Sequence, residues 1–331
     1  MHPTSPLQFE AVDANTIPAL EEVRDDVWAL GLDMDGDHIP FSLLYLLRDA
    51  DDALHVVDPG TDSLANFARV QHAVEALGGT LADIRTITVT HLHPDHLGMA
   101  ARLRDASGAV VATSAPEAEA LGRLNDTRLS PADVTALADA WGVPADRRAE
   151  LLDAAGRAPD YPAPHIDKAY VDGETLPIPG FALTTVVTPG HTPGHLCLRD
   201  EARSLVFTGD HILPTMFAGL GLGGPTTTNP LADYVAGCER VAEFDDHEVL
   251  PGHGYRFTGL GERARESAAH HLRRTAEVEG ELASHRGASV WEIASQLTWT
   301  AGFANLAGFF LYSALSQTAM HRDYVRQRRE A

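Results

Sequence analysis

Short apolar runs separated by Asp- and Gly-rich punctuation give the first part of this chain the pattern of strands. Runs at 27–30, 41–47 and 54–57 alternate with turns such as DMDGDH (33–38) and RDADDA (48–53). The third run leaves its strand sharply through Asp58-Pro59-Gly60. A helical pattern over about 63–77 closes at Gly78-Gly79, and Thr alternates with Ile and Val over 86–90, a strand that leads directly into HLHPDHLG. From about 114 to 169 the texture becomes Ala-rich and helical. Ser114 with Glu117 three residues on has capping-box spacing, and Ser130-Pro131 places a cap before a first-turn proline. Val134, Leu137, Ala138 and Trp141 then mark one apolar helix face, and YPAPH (161–165) ends the block, which reads as a helical insertion. Strands resume at 181–188, 196–198 and 204–208, followed by the loop AGLGLGGPTTTNP (218–230). Asn229-Pro230 opens a helix to about 243, and 248–250 is a last short strand into PGHG. Helices are expected over 261–285 and 289–298, and a final one ends in RDYVRQRREA.

Composition narrows the function classes. The 331 residues are 44% hydrophobic and 22% charged, enough for a sizeable core. Asp and Glu number 47 against 25 basic residues, a net charge of -22, and Lys168 is the only lysine. A surface this acidic repels phosphate backbones, so no nucleic-acid partner is expected, although a local arginine pocket for a small anion is compatible with it. Cys197 and Cys238 are too few for a disulfide framework, and each sits where a core residue is expected. The first residues lack a basic and then apolar leader pattern. The longest apolar stretch, 303–315, contains Asn305 and Ser313 and is shorter than the roughly 20 residues of a membrane helix. The expectation is a cytoplasmic enzyme for a small-molecule substrate, without a membrane partner, whose final helices offer a surface for a homodimer.

The chemistry is concentrated in His91-Leu92-His93-Pro94-Asp95-His96, three imidazoles and a carboxylate directly after a strand. In extended backbone His91 and His93 share a face, and Pro94 can turn Asp95 and His96 toward a second ion. Imidazole and carboxylate are the usual ligands of catalytic zinc. Taken alone this could be a His-rich surface turn. Three further strand ends argue otherwise: Pro189-Gly190-His191-Thr192, Thr208-Gly209-Asp210 and Pro251-Gly252-His253-Gly254, in which glycines let the backbone bend toward a shared mouth.

In order and spacing, VVDPG, THLHPDH, TPGHT, FTGD and PGHG resemble the metallo-β-lactamase superfamily signature over roughly residues 25–258. The resemblance implies a four-layer α/β/β/α sandwich, here with the helical insertion and a helical C-terminal extension. The expected division is a catalytic domain over 1–258 and the extension over 259–331. It implies a first metal on His91, His93 and His191, a second on Asp95, His96 and His253, and Asp210 bridging. Asp58 matches the family's aspartate that orients the histidine loop, although Pro59 stands where the family more often has Thr. His195 is expected to support by hydrogen bonding rather than to ligate. Two divalent ions, Zn2+ with Fe or Mn as alternatives, would share a water, and Asp95 could relay its proton, the weaker of its two roles.

Other residues tempt less. His211 would point away from Asp210's side of the chain, and His38, His165 and His247 lack partner spacing. Gly219–Gly224 reads GxGxxG but is followed by PTTTNP rather than a helix, which fails the dinucleotide context; it fits the border of the substrate mouth, or a plain loop. The stretch AAHHLRRTAEVEGEL resembles the helix after PGHG in the hydroxyacylglutathione-hydrolase-like and LACTB2-like branches. His271, Arg273 and Arg274 could there meet an anionic handle of substrate, or form only a solvated face.

The resulting expectation is a metallo-hydrolase of an ester-like carbonyl, with a thioester of glutathione or coenzyme A preferred and a lactone the nearest competitor. A β-lactamase would need export, and a nuclease a basic surface. An iron sulfur-dioxygenase-like enzyme lacks the full second ligand set that His96 and His253 complete here, and a decayed, non-catalytic binding module would have lost ligands.

Overall fold

Alternation along single strands builds the layers. In the strand Phe41–Arg48, Phe41, Leu43, Tyr45 and Leu47 point to one apolar cluster, while Leu44 and Leu46 point to another. In Leu205–Gly209, Leu205 and Phe207 join the first of these clusters and Val206 a third. Successive side chains of a strand face opposite sides, so strands buried on both faces require an apolar layer on each.

The computed structural model describes residues 1–34, 39–124, 129–156, 164–299 and 301–330. Its strands are β1 (His2–Pro3), β2 (Glu21–Arg24), β3 (Val27–Asp33), β4 (Phe41–Arg48), β5 (Leu54–Val57), β6 (Ile84–Thr88) and β7 (Val110–Ser114). They continue with β8 (Lys168–Tyr170), β9 (Leu183–Val187), β10 (Leu196–Asp200), β11 (Leu205–Gly209), β12 (Glu248–Pro251) and β13 (Phe257–Thr258). One sheet runs β2-β3-β4-β5-β6-β7-β8 and the other β1-β13-β12-β11-β10-β9. The inner faces of both meet in one cluster that holds Phe41, Tyr45, Leu196, Leu198 and Phe207. Helices Leu64–Ala76 and Ala100–Ser107 cover the outer face of the first sheet through Val70, Val74 and Leu103. Helices Pro230–Val241 and Leu260–Ser284 cover the second through Leu231, Tyr234, Cys238, Leu260 and Ala264. This is the α/β/β/α sandwich expected from the sequence.

Several elements are too short or too weakly patterned to announce themselves: β1, β2, β8 and β13, which span only two to four residues, and the helix Pro6–Ala14 capped by Ser5, whose Leu7 and Phe9 stay exposed. The strand β7 precedes the helical stretch that begins at about 114, in a segment where no element is expected. The Ser130 cap forms with Asp133 as a full capping box. At Ser114 only half of the expected box exists. The hydroxyl accepts the Glu117 N–H, but the Glu117 carboxylate turns inward and bonds elsewhere.

The insertion and the C-terminal extension, far apart in sequence, share one apolar cluster. Val134, Ala138, Trp141 and Leu151 pack with Val290, Ala294, Leu311 and Leu315. Within YPAPH, residues 161–163 lie outside the described residues, as do 35–38 of DMDGDH, His38 included. Cys197 and Cys238 are buried and free, and burial pushes both thiols up to about 12. Among the described residues no helix is long and apolar enough to cross a membrane.

Candidate metal centre

Four strand ends deliver the histidine and aspartate side chains to one edge of the sandwich. The chain leaves β6 at Thr88, and residues 91–93 are bends rather than extended strand. Pro94 then starts the short helix Pro94–Leu97, with His93 at its cap, so Asp95 and His96 sit on a helical turn. His191 lies on the β9–β10 connection, Asp210 directly after β11, and His253 just beyond β12.

Two groups of ligand atoms result. His91 Nε2 lies 3.0 Å from His93 Nδ1, and His191 Nε2 lies 3.1 Å from that same Nδ1. Asp210 Oδ2 stands 3.9 Å from His91 Nε2 and 3.6 Å from His191 Nε2. In the second group His253 Nε2 is 3.1 Å from both His96 Nε2 and Asp95 Oδ2. Asp210 Oδ1 is 3.3 Å from His96 Nε2 and 3.4 Å from His253 Nε2. Asp210 thus turns one oxygen toward each group.

These spacings suit metal ions. Two ligands at 2.0–2.1 Å from a tetrahedral zinc are about 3.3 Å apart, and within each group all ligand atoms lie within 4.8 Å of one another. Asp210 Oδ1 is buried without a hydrogen-bond partner of ordinary geometry. Electrostatics point the same way. Burial disfavours charge on His96 and on His253, yet Asp210 and Asp95, joined at His96 by Asp58, outweigh it and raise both imidazoles. Burial also works against charge on Asp95 and Asp210, but the facing His96 and His253 hold both carboxyls below the usual range. Protons on imidazole here stand where a dication would supply the charge. Burial keeps the first group neutral instead: His91 falls well below its ordinary value, His93 to about 3, and His191 is lowered. Neutral imidazole is the ligating form.

The ring nitrogens that His91, His96, His191 and His253 turn away from the groups are held. His96 Nδ1 lies 2.8 Å from Asp58 Oδ2, His191 Nδ1 donates to the Gly219 carbonyl at 2.6 Å, and His253 Nδ1 to the Phe41 carbonyl at 3.0 Å. His91 Nδ1 meets the Thr90 hydroxyl at 3.0 Å, which itself donates to Asp58 at 2.7 Å. Such partners fix the tautomer and ring orientation of ligating histidines. His195 stays outside both groups. Its Nδ1 faces the Thr188 hydroxyl at 2.9 Å, and its Nε2 accepts the Asp210 N–H at 3.1 Å. His211 is buried against Tyr234, and burial lowers its imidazole to about 3. His165 is exposed, whereas His247 is buried and accepts from Arg199 Nε at 3.1 Å.

The glycine-rich loop borders this centre: Gly221 and Leu222 donate their N–H groups to the carbonyls of Gly190 and His191. Of the three residues expected to meet an anion, His271 packs against the Tyr234 ring. Arg274 is engaged by Glu277, the Thr298 carbonyl and Trp299, and Arg273 is exposed.

Sequence reasoning did not find Thr90, nor the buried Glu117, whose Oε1 accepts the Leu92 N–H and whose Oε2 accepts the Gly194 N–H, each at 2.7 Å. The signal for Glu117 was present, but as a local helix cap.

The model of the family described as "Metallo-beta-lactamase superfamily" matches residues 40–253, which span all seven residues of the two groups. The chain belongs to the metallo-β-lactamase superfamily. The superfamily's reach is seen in a crystal structure of a metallo-beta-lactamase family protein from Thermus thermophilus, similar with a TM-score of 0.72 and 25% identity over 93% of this chain and 95% of that one. Hydroxyacylglutathione hydrolase GloC of Haemophilus influenzae is 24% identical over 231 residues, 66% of this chain and 88% of that protein. Acyl-coenzyme A thioesterase MBLAC2 of Bos taurus is 31% identical over 174 residues, 51% of this chain and only 55% of the bovine protein. The chain is thus a metallo-hydrolase of this superfamily whose His and Asp groups are able to bind metal ions.

Proposed function

We propose that this protein hydrolyses ester-like carbonyl compounds, thioesters of glutathione or coenzyme A in the first place, with two divalent ions, zinc by preference. The observation that carries the reading is Asp210, whose two oxygens face two complete ligand groups at one edge of the sandwich. His91, His93 and His191 would hold one ion, Asp95, His96 and His253 the other, and Asp210 would join them. Bound there, the ions would polarise the substrate carbonyl and lower the pKa of water toward neutrality. The chain's own contribution is orientation. Asp58 and the carbonyls of Phe41 and Gly219 aim the imidazoles, and His195 holds the backbone of Asp210. The Asp95 side chain is less enclosed than the histidines of its group, which suits a group that takes a proton from water and passes it to the leaving thiolate. Arg273, the exposed member of the basic trio, is the residue available for an anionic handle.

The thioester preference draws support from two relatives named as a hydroxyacylglutathione hydrolase and an acyl-coenzyme A thioesterase. Thiol release by zinc-loaded protein from a panel of acyl-glutathione and acyl-coenzyme A substrates tests it, with His91→Ala as control. Release that disappears in the variant supports a metal-dependent thioesterase. Metal binding without release from any thioester would discard the preference and bring lactones forward.

A further inference from the structure

Glu117 is the first-turn carboxylate of the helix Ala115–Arg123 and is only 1% exposed. Instead of closing its own helix cap it reaches two loops from different sheets. Leu92, whose N–H it accepts, stands between His91 and His93 after β6. Gly194, whose N–H it accepts with the other oxygen, stands between His191 and His195 on the β9–β10 connection. The peptide of Gly194 is gripped from both sides, because the Ser114 hydroxyl donates to its carbonyl. The fit leaves no room. A Cβ on Gly194 would lie 2.2 Å from the Glu117 backbone nitrogen and 2.6 Å from Ser114 Oγ.

We infer that Glu117 is a positioning residue for the first metal group, its carboxylate tying the His91–His93 loop to the His191 loop and so setting the spacing of those three imidazoles. The inference rests on the metal-binding reading above. The geometry requires two acceptors aimed in two directions, and a carboxylate offers them on one rigid plane. Glutamine offers one oxygen, and its amide nitrogen would confront the second N–H, donor against donor. The second group lies outside the grip, since Asp95, His96 and His253 take their orientation from Pro94, Asp58 and Phe41. Loss of the clamp should therefore be selective for one ion.

The test compares wild type, Glu117→Gln, Glu117→Asp and His91→Ala. Metal-free protein is titrated with Zn2+ against a chelating dye and with Co2+ by visible absorption, and metal-free melting is recorded alongside. Wild type should bind two ions. Glu117→Gln should hold one with unchanged affinity and the other about 10- to 100-fold more weakly, the loss seen when partners that orient ligands are removed. It should also alter the Co2+ bands that His91→Ala abolishes. Glu117→Asp, which keeps both acceptors, should recover part of the affinity. Two ions bound as in wild type by Glu117→Gln would overturn the clamp alone. So would a lower melting temperature with both affinities intact, or weakened equally, since either would mark a packing role. A wild type that binds no ion would instead remove the metal reading, and the clamp with it.

Discussion

Asp58 and His96 form the contact that orients the second candidate metal group: Asp58 Oδ2 lies 2.8 Å from His96 Nδ1, and both residues are buried. The other carboxylate oxygen accepts the Thr90 N–H at 2.7 Å, and Oδ2 also accepts the Thr90 hydroxyl, which faces His91 Nδ1. One carboxylate therefore aims a histidine of the second group directly and one of the first through a threonine. Asp58 itself sits at φ 55°, a left-handed conformation that Asp and Asn tolerate better than most residues.

Asp58→Asn keeps that backbone but replaces one acceptor oxygen with a donor. It is expected to weaken the ion at Asp95, His96 and His253 by about 10- to 100-fold. The ion at His91, His93 and His191 should suffer less, since Thr90 stands between. Chelator competition on the variant reads both affinities. Equal affinities for wild type and variant would show that Asp58 does not orient the site.

Gly252 makes a second prediction from space rather than conformation. A Cβ there would lie 2.5 Å from His96 Cε1 and 2.6 Å from Asp210 Oδ1. Gly252→Ala must push aside the Asp210 carboxylate and the His96 imidazole. The expected result is protein that binds the second ion at least about tenfold more weakly, by analogy with other disturbed ligand partners, while its circular dichroism is unchanged. Normal stoichiometry at tight binding would count against the geometry of the bridge.

These residues show how far the sequence could be read. That His91, His93, Asp95, His96, His191, Asp210 and His253 come together was legible, because five motifs set side chains able to hold a metal in order along the chain. The double-faced apolar strands 41–48 and 205–209 were legible for a similar reason, since burial fixes residue type. Gly252 was read as a bend, whereas the structure uses it for close approach, which depends on residues distant in the chain. Glu117 matched a local pattern so well that its long-range bonds to Leu92 and Gly194 were invisible. The Ser5-Pro6 start of the first helix carries the same signal as Ser130-Pro131, but the apolar residues that follow it mark no single buried face, and Leu7 and Phe9 stay exposed. The shared cluster of insertion and extension could not be read at all, because two amphipathic segments do not state which partner each one covers.

The helical layer gives a pH prediction. His321 on the helix Gly308–Glu330 is 1% exposed, its Nδ1 2.9 Å from the Thr275 hydroxyl, with His271 and Arg274 nearby. Burial lowers it to about 3, against about 6.5 in an unfolded chain. Between those values the unfolded state binds the extra proton, so its contribution to stability is complete above about pH 6.5 and is lost as pH falls toward 3. His271, lowered by burial to about 4, acts in the same direction. Unfolding free energies from urea titrations between pH 7 and 5 should fall less steeply in His321→Gln than in wild type, by on the order of 1 kcal/mol per pH unit. Parallel slopes would mean that His321 is already able to ionise in the folded protein.

Arg263 yields the last prediction, because it fixes the segment that leaves Asp210. It is 5% exposed on the helix Leu260–Ser284, and its guanidinium donates to the carbonyls of Leu213 and Met216 at 2.7 Å each. The same group lies 4.4 Å over the Phe217 ring, which stacks on His270 at 4.0 Å. Arg263→Met would fill the volume but leave two carbonyls without their donor, at a cost of about 2–3 kcal/mol. The ligand residues at 91–96 and 253 keep their own partners, so both ions should still bind. What loosens is the stretch between Asp210 and the glycine-rich loop at the mouth. In the thiol-release assay KM should rise several-fold while kcat changes less, and Arg263→Lys should recover little, since an ammonium cannot reproduce the planar fork. A fall in kcat at constant KM would place the 213–217 segment in the chemistry itself rather than at its entrance.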